Sequence, residues 1–307
     1  MAPMPESSSL LSPQLLAQLE RLELVTRKVF RGRLKGERRS KRKGQSVEFA
    51  DFRSYVPGDD LRFVDWNLYA RLDKLFIKLF LEEEDLHFFA LIDASRSMEF
   101  GEPTKLEYAK QLAAALGFIG LCRTDRVKLE FLGASRSHPG PVLRGRKSLW
   151  RMLDYLQSMP GDSAAAANNI TTTTDLATSV REFCLRNPGR GILVLISDLM
   201  DKAGYETALR LLLARQMDVY VIQLLSNEEL HPELQGDLKL VDCEDKDVAE
   251  ITVSRPLLDR YQKTLAAFVE GAREFCTRRG MTYLLANTQI PVDQLVANYL
   301  RQRGLVR

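Results

Sequence analysis

Apolar residues follow two alternating spacings along residues 86–307, and this alternation predicts a layered α/β structure. Short continuous apolar runs at residues 87–92 and 192–196 are typical of buried strands. Spacings of three and four residues, typical of helices, occur in segments such as residues 105–122 and 257–279. Parallel strands joined by helices are buried on both faces, so their sequences are continuously apolar. We therefore expect a mostly parallel sheet with helices on both faces.

The first 85 residues follow a different pattern. Leucines and a valine at helical spacing predict an amphipathic helix over about residues 13–30. A basic stretch from Arg27 to Lys43 overlaps its end, and the first 50 residues carry 11 basic and 5 acidic side chains. The whole chain has a formal charge of +3, so the remainder carries a small negative excess. We expect an N-terminal helix/β subdomain over residues 1–85 and an α/β domain over residues 86–307.

Composition excludes several classes of protein. Hydrophobic residues make up 45% of the chain and charged residues 28%, as in folded globular proteins. No apolar run approaches the roughly 20 residues of a membrane-spanning helix, and no signal-peptide pattern is visible. The four cysteines form no Cys-x-x-Cys pair, and the three histidines form no zinc-binding motif. We expect a cytoplasmic protein.

Side chains with oxygen atoms follow directly after the two continuous apolar strands. Asp93, Ser95 and Ser97 follow the first strand in the spacing D-x-S-x-S, and Asp198 follows the second strand. Open α/β sheets bind ligands at the carboxyl ends of their strands, so these side chains are expected at one edge of the sheet. A run of four threonines, residues 171–174, precedes a predicted helix and offers a third loop.

Such a set of oxygen ligands suits a hard divalent cation, Mg²⁺ first, with Mn²⁺ as the alternative. A tight loop leaving a strand can turn one carboxylate and two hydroxyls inward at alternate positions. Two aspartates balance a divalent charge, and if one acts through water the metal keeps electrophilic character for an external carboxylate. The D-x-S-x-S spacing alone is a weak signal, because Asp and Ser are common at turns and helix N-caps. Its position after a buried strand strengthens the prediction.

The order D-x-S-x-S, then Thr, then Asp at strand ends resembles the metal-ion-dependent adhesion site of von Willebrand factor A domains. The chain also resembles the bacterial family called domain of unknown function 58, through GQSVEF at residues 44–49, DFRSYVPGDDLR at residues 51–62 and VDWN at residues 64–67. This resemblance extends over about residues 20–303. It implies a von Willebrand factor A-like, Rossmann-like fold with a metal site.

The resemblance also implies a ligand set for that site. The implied metal ligands are Asp93, Ser95, Ser97, Thr174 and Asp198. Asp198 is expected to act through water. Small glycines often precede the threonine in the family, whereas three further threonines do so here, and Thr173 is therefore the alternative ligand.

The resemblance gives only a general indication of function. Members of the family tend to be encoded beside MoxR-type AAA+ ATPases, which implies such a partner in a chaperone-like or metal-insertion system, and no catalytic reaction is established for them. Our first hypothesis is a non-enzymatic, metal-dependent protein-interaction module whose partner supplies a carboxylate to the metal. Many members carry N-terminal membrane helices, and this sequence resembles the subgroup without them.

Two other functions remain open. The basic stretch from Arg27 to Lys43 could contact nucleic-acid phosphates, although Phe30 is its only ring and single-strand binding relies on stacking. A metal-assisted hydrolase is a weaker alternative, because no G-x-S-x-G motif or histidine base accompanies the serines. Elsewhere, we expect Trp66 in the core and expect the neighbouring arginines and aspartates to form structural ion pairs.

Overall fold

The computed structural model divides the chain into two compact units. The smaller unit spans residues 29–85, and the larger one combines residues 1–28 with residues 86–307. Helix α1 (Pro13–Leu19) belongs to the larger unit, because two of its leucines are buried in that unit's core. This division differs from a single boundary at residue 85. The structure describes residues 10–25, 34–35, 47–82, 87–123, 125–133, 138–158, 175–189, 191–215, 217–233, 236–241 and 248–306.

The smaller unit is built on a three-stranded antiparallel sheet. Its strands are β1 (Leu34–Lys35), β2 (Val47–Ser54) and β3 (Phe76–Glu82), in the order β1-β3-β2. Helix α2 (Trp66–Leu72) lies between β2 and β3 in sequence and begins after Asp65, whose carboxylate accepts two backbone N–H groups of the first turn. Among the residues of this unit whose burial the structure describes, Val64, Ile77 and Leu79 form a buried apolar cluster, with the half-buried Tyr55, Phe63 and Leu75 packed against it.

Trp66 is exposed, so the prediction that it is a core residue is wrong. It is the first residue of α2, its exposed fraction is 59%, and its ring packs edge-to-face on Tyr69. Aliphatic side chains fill the small core of this unit instead.

Ion pairs do form among the charged residues of this unit, with N···O distances between 2.5 and 3.0 Å. The pairs are Arg53–Asp59, Arg62–Asp60 and Lys78–Asp65. Exposed pairs contribute little to stability, so they orient side chains around the apolar core more than they hold it together.

The larger unit contains a mixed seven-stranded sheet and a separate antiparallel pair. The strands are β4 (His87–Asp93), β5 (Arg126–Leu132), β6 (His138–Pro139), β7 (Leu143–Arg144), β8 (Gly191–Ser197), β9 (Asp218–Leu225), β10 (Gly236–Val241), β11 (Val248–Val253) and β12 (Thr282–Asn287). Strands β12, β9, β8, β4 and β5 run parallel in that order, and the short strands β6 and β7 both pair antiparallel with β5. Strands β10 and β11 form the separate antiparallel pair.

Helices cover both faces of this sheet. They are α3 (Lys105–Cys122), α4 (Leu149–Ser158), α5 (Leu176–Arg186), α6 (Glu206–Ala214), α7 (Asn227–Leu230), α8 (Arg255–Arg278) and α9 (Val292–Gln294, followed by a π-helical segment at Leu295–Leu300). Among the described helices, none combines the length and the apolar character needed to cross a membrane.

Successive residues of β4 point into two different cores, as the pleat of a strand requires. Phe88, Ala90 and Ile92 are buried with residues of α1, α3 and α4, whereas Phe89 and Leu91 are buried with residues of α5, α6 and α8. The predicted mostly parallel sheet with helices on both faces is therefore confirmed.

The strand order places a ligand-binding position between β4 and β8. Numbered along the chain, with β6 and β7 counted as one edge element, the strands of this sheet are 1 (β4), 2 (β5), 3 (β6 and β7), 4 (β8), 5 (β9) and 6 (β12). Their order across the sheet is then the doubly wound 3-2-1-4-5-6. The chain adds strands towards one edge after β4 and towards the other edge after β8, so the switch point lies between β4 and β8. The fold is therefore von Willebrand factor A-like and Rossmann-like. Ligands of open α/β sheets bind outside the carboxyl ends of the strands at this switch point, which is where β4 and β8 end.

Candidate functional site

The first loop of the site starts at Asp93, the last residue of β4. Its side chain is buried, and its Oδ1 accepts the backbone N–H of Ser95 at 2.9 Å while its Oδ2 accepts the hydroxyl of Ser197 at 2.5 Å. Gly133, with φ of +94°, lies against this turn, and a Cβ there would come within 3.1 Å of both Asp93 Oδ1 and the Ser95 nitrogen. The glycine therefore leaves the space that the carboxylate occupies.

The two serines of the motif present their hydroxyls together. Ser95 Oγ and Ser97 Oγ lie 3.1 Å apart, and both residues are half-buried. Ser95 is the N-cap of a short 3₁₀ turn, Arg96–Glu99, which Met98 anchors because its side chain is fully buried. One carboxylate and two hydroxyls are thus available on one tight loop, as the spacing predicts.

The second acid, Asp198, follows β8 and is almost fully buried. Its Oδ1 accepts the backbone N–H of Met200 at 3.0 Å, and its Oδ2 accepts a hydrogen bond from Lys105 Nζ at 2.8 Å. Its backbone carbonyl accepts a hydrogen bond from Gln223 on β9. The next residue, Leu199, has φ of +63°, a conformation that non-glycine residues rarely adopt. Such backbone strain is common where a loop is shaped for a function.

Ser197 connects the two acids. Its side chain is fully buried, and its hydroxyl donates to Asp93 Oδ2 while accepting the backbone N–H of Leu199 at 2.9 Å. A single hydroxyl therefore ties the ends of β4 and β8 together.

Lys105 is the cation of this site. It is the first residue of α3, its side chain has no exposed surface, and its Nζ lies 2.8 Å from Asp198 Oδ2 and 2.6 Å from Glu229 Oε1. Burial lowers the pKa of this ammonium, but the charges of the two carboxylates and the hydrogen bonds to them raise it more, so that the pKa lies above its ordinary value. Lys105 is therefore charged at neutral pH.

Among the described residues, no lysine or arginine is bonded to Asp93. Burial, followed by the nearby charge of Asp198, raises the pKa of Asp93 from its ordinary 3.8 to about 6, although the hydrogen bonds from Ser197 and Ser95 act in the opposite direction. The surroundings of Asp93 therefore destabilise its ionised form, and a nearby cation would stabilise that form.

The donor chemistry fits a hard divalent cation. The described part of the chain contains no cluster of three or more His, Cys, Asp or Glu side chains placed to hold a metal, so a metal here would rely on a mixed carboxylate and hydroxyl set. Such oxygen donors are those that Mg²⁺ uses. The three carboxylates of Asp93, Asp198 and Glu229 outnumber the one ammonium of Lys105, so the ionised cluster carries −2, the charge that a divalent ion balances.

Four of the five predicted ligands, Asp93, Ser95, Ser97 and Asp198, lie at this edge of the sheet. Thr174 and its alternative Thr173 lie outside the described residues. The helix that follows them, α5, is attached to the same edge, because the backbone N–H of Leu176 donates to Asp201 Oδ2 at 2.6 Å. The basic stretch between Arg27 and Lys43 also lies outside the described residues, apart from β1.

Three functional candidates are absent from the sequence-based ligand set: Ser197, Lys105 and Glu229. Ser197 directly precedes Asp198, so its place at a strand end was a usable signal. Glu229 stands three residues after Ser226, a capping-box spacing that predicts a helix start, and the capping box is present. Nothing in the local sequence indicates that its carboxylate meets an ammonium 124 positions away.

A protein-family model described as "Protein of unknown function DUF58" matches residues 51–270. The chain belongs to the DUF58 family. Two curated relatives are the uncharacterized proteins Mb1516 of Mycobacterium bovis and Rv1480 of Mycobacterium tuberculosis. Each is 28% identical over 259 residues, covering 83% of this DUF58 chain and 79% of the relative.

Solved structures with a partial likeness include the conserved hypothetical protein BatB from Bacteroides thetaiotaomicron, at 14% identity and a TM-score of 0.45. The alignment covers 71% of the DUF58 chain and 98% of BatB. The VWA domain of SpRpn10 aligns at 10% identity and a TM-score of 0.37, over 70% of the DUF58 chain and 95% of that domain. These superpositions are loose, so the fold is assigned from the strand order and the strand directions.

Proposed function

We propose that this DUF58 chain is a non-enzymatic protein-interaction module that depends on a divalent metal. Asp93, Ser95, Ser97 and Thr174 would hold Mg²⁺, or Mn²⁺ as the alternative, and Asp198 would act through water. The bound ion would supply a Lewis-acid position for a carboxylate of the partner protein. The support is the cluster at the switch point between β4 and β8, where a buried carboxylate without a neighbouring cation stands beside two hydroxyls.

The hydrogen bonds of Asp198 favour its indirect role. Both oxygens of its carboxylate are already engaged, one by the backbone N–H of Met200 and the other by Lys105. Both oxygens of Asp93 also accept hydrogen bonds, but from the uncharged N–H of Ser95 and the hydroxyl of Ser197. Among the described residues no ammonium is bonded to Asp93, so more of its negative charge is left for a bound ion. Direct coordination through one carboxylate leaves the ion more positive than coordination through two would, which favours binding of an external carboxylate.

The proposed partner is a MoxR-type AAA+ ATPase, in a chaperone-like or assembly system. This part rests on the family resemblance. The absence of catalysis is also a proposal, and it is supported by the surroundings of the serines. Their hydroxyls bond to each other, the Ser95 hydroxyl also bonds to the Asp93 carboxylate, and the described part of the chain shows no hydrogen bond from a histidine to either serine. Histidine is the usual base that activates a nucleophilic serine.

The test is the capture of partners by three forms of the full chain: the wild type, Asp93→Ala and Asp154→Ala. Asp154 is exposed on α4 and serves as the matched control. We expect wild type and Asp154→Ala to retain a AAA+ ATPase, and we expect Asp93→Ala or a chelator to release it. Retention by Asp93→Ala, or indifference to the chelator, would contradict the proposal.

Nucleic-acid binding by the stretch from Arg27 to Lys43 stays an alternative. A gel-shift series at rising salt decides it, because phosphate contacts lose affinity steeply as salt increases. The weaker hydrolase alternative is tested by screening phosphoester and peptide substrates in the presence of Mg²⁺.

A further inference from the structure

We propose that Lys105 is a resident cation of the metal site and that, together with Glu229, it sets how tightly the site holds a divalent ion. The inference rests on the proposed function, because it concerns the same site. It assigns a role to two residues outside the ligand set, which lie on α3 and α7.

The position of Lys105 is the first observation. Its ammonium lies inside the protein with no exposed side-chain surface, in contact with Asp198 from the end of β8 and with Glu229 from α7. Two carboxylates, one from the loop after β8 and one from α7, therefore meet at the ammonium of Lys105 on α3. A buried ammonium is tolerated only when carboxylates or other acceptors compensate for its lost hydration, and here two carboxylates do so.

Glu229 fixes the ammonium in place. Its Oε1 accepts from Lys105 Nζ at 2.6 Å, and its Oε2 accepts the backbone N–H of Ser226 at 2.8 Å. The Ser226 hydroxyl in turn accepts the backbone N–H of Glu229, which completes a capping box at the start of α7. The Glu229 carboxylate is thus held at both oxygens, at one by Lys105 and at the other by the helix cap.

Close packing supports the same arrangement. The loop before α3 passes so near α7 that a Cβ at Gly101, where φ is +95°, would lie 2.6 Å from the Cβ of Ser226. A larger residue there would push the loop that leads to Lys105 away from α7. Backbone packing between the loop before α3 and the start of α7, as well as charge, therefore fixes the position of Lys105.

The charge of Lys105 acts directly on the neighbouring acids. With Lys105 in place, the ionised cluster of Asp93, Asp198, Glu229 and Lys105 carries −2, and without it the same cluster carries −3. A divalent ion beside Asp93 is attracted by this net charge. Lys105 therefore lowers the affinity of the site for a divalent ion, and Glu229 raises it.

Three variants separate this role from a structural one. Lys105→Met should raise the Mg²⁺ affinity by about tenfold or more, even though its loss of ion pairs makes the metal-free chain less stable. Glu229→Gln, which reduces the net negative charge of the cluster from −2 to −1, should weaken Mg²⁺ binding by a similar factor. The double variant Lys105→Met/Glu229→Gln returns the charge to −2 and should bind Mg²⁺ within a few-fold of wild type.

The experiment is a calorimetric titration of MgCl₂ into the full chain, with thermal melting in EDTA as the measure of stability. Lys110→Met, a half-buried lysine five residues further along α3, is the control and should leave the affinity unchanged. A purely structural role for Lys105 predicts that stability and affinity fall together, whereas the proposal predicts opposite changes.

The outcomes are distinguishable. If the wild type binds Mg²⁺ but Lys105→Met binds it no more tightly, the inference is wrong and the proposed function stands. If Lys105→Met does not fold, the result from Glu229→Gln decides, and an unchanged affinity there overturns the inference. If the wild type binds no Mg²⁺ at all, the proposed function fails and this inference fails with it.

Discussion

Asp93 and Asp198 occupy equivalent places at the ends of two neighbouring parallel strands, yet their environments differ. Asp198 is paired with the buried ammonium of Lys105, whereas the hydrogen bonds that Asp93 receives from described residues come from Ser95 and Ser197. The pKa of Asp93 is accordingly raised to about 6, by burial first and by the charge of Asp198 second. Asp198 is bonded to a cation of the protein itself, whereas among the described residues no cation is bonded to Asp93.

The difference indicates separate roles for the two acids, a structural one for Asp198 and a functional one for Asp93. A buried acid with its own cation stabilises the structure, and removing the acid leaves the cation unpaired. A buried acid without a cation destabilises the metal-free protein and is a common property of functional sites. Neutralising each aspartate should therefore change stability in opposite directions.

The largest change in stability is expected for Asp198→Asn. This substitution leaves the buried ammonium of Lys105 with Glu229 as its one carboxylate partner. We expect the metal-free protein to lose on the order of 3 kcal/mol in its free energy of unfolding, measured by urea titration in EDTA. The exposed control Asp154→Asn should change it by less than about 0.5 kcal/mol. A loss below about 1 kcal/mol for Asp198→Asn would remove the contrast between the two acids.

Asp93→Asn should instead stabilise the metal-free protein, by about 2–3 kcal/mol at pH 7.5. The amide can still accept the N–H of Ser95 and can donate to the Ser197 oxygen, which reverses the direction of the bond that Ser197 donates in the wild type. The cause is the pKa of Asp93, which folding raises from 3.8 to about 6. An acid with a raised pKa binds more protons in the folded state, so its penalty is absent below pH 3.8, grows up to about pH 6 and is constant above.

The pH series is the sharper part of this prediction. The stability difference between Asp93→Asn and wild type, measured in EDTA, should shrink as the pH falls from about 6 towards 3.8. If Asp93→Asn lowers the stability at pH 7.5, or if the stability difference does not depend on pH, then the surroundings of Asp93 do not destabilise its ionised form.

A smaller effect is expected at Ser197, which connects the two acids. Ser197→Ala removes the hydroxyl bonded to Asp93 and leaves the N–H of Leu199 unpaired, so it should destabilise the protein by about 1–2 kcal/mol. Ser179→Ala is a matched control, because Ser179 is equally buried and its hydroxyl has no hydrogen-bond partner within the described structure. Equal effects of the two substitutions in chemical unfolding would contradict the bridging role.

The larger unit could be predicted well because its signals are local. Continuous apolar strands followed at once by oxygen side chains indicated a parallel sheet and the edge at which Asp93 and Asp198 lie. The N-terminal helix was predicted over residues 13–30 but ends at Leu19. Beyond it, the backbone N–H of Val25 bonds to the carbonyl of Leu305, a contact with the distant C-terminus that apolar spacing cannot reveal.

The cation of the site could not be predicted for a similar reason. Lys105 stands in a helix with apolar spacing and looks like an ordinary polar first-turn residue. Its meeting with Asp198 joins positions 93 residues apart. Trp66 shows the reverse error, because a large aromatic was expected in a core that aliphatic residues fill instead.

Calorimetric titration of Mg²⁺ at pH 7.5 into wild type, Asp93→Asn and Asp198→Asn tests the central claim most directly. Each variant removes one negative charge, so a difference between them reports the position of the acid and not the net charge. We expect that wild type binds Mg²⁺, that Asp198→Asn binds it more weakly, and that Asp93→Asn shows no binding. Binding by Asp93→Asn as tight as by wild type, or loss of binding only in Asp198→Asn, would contradict the account.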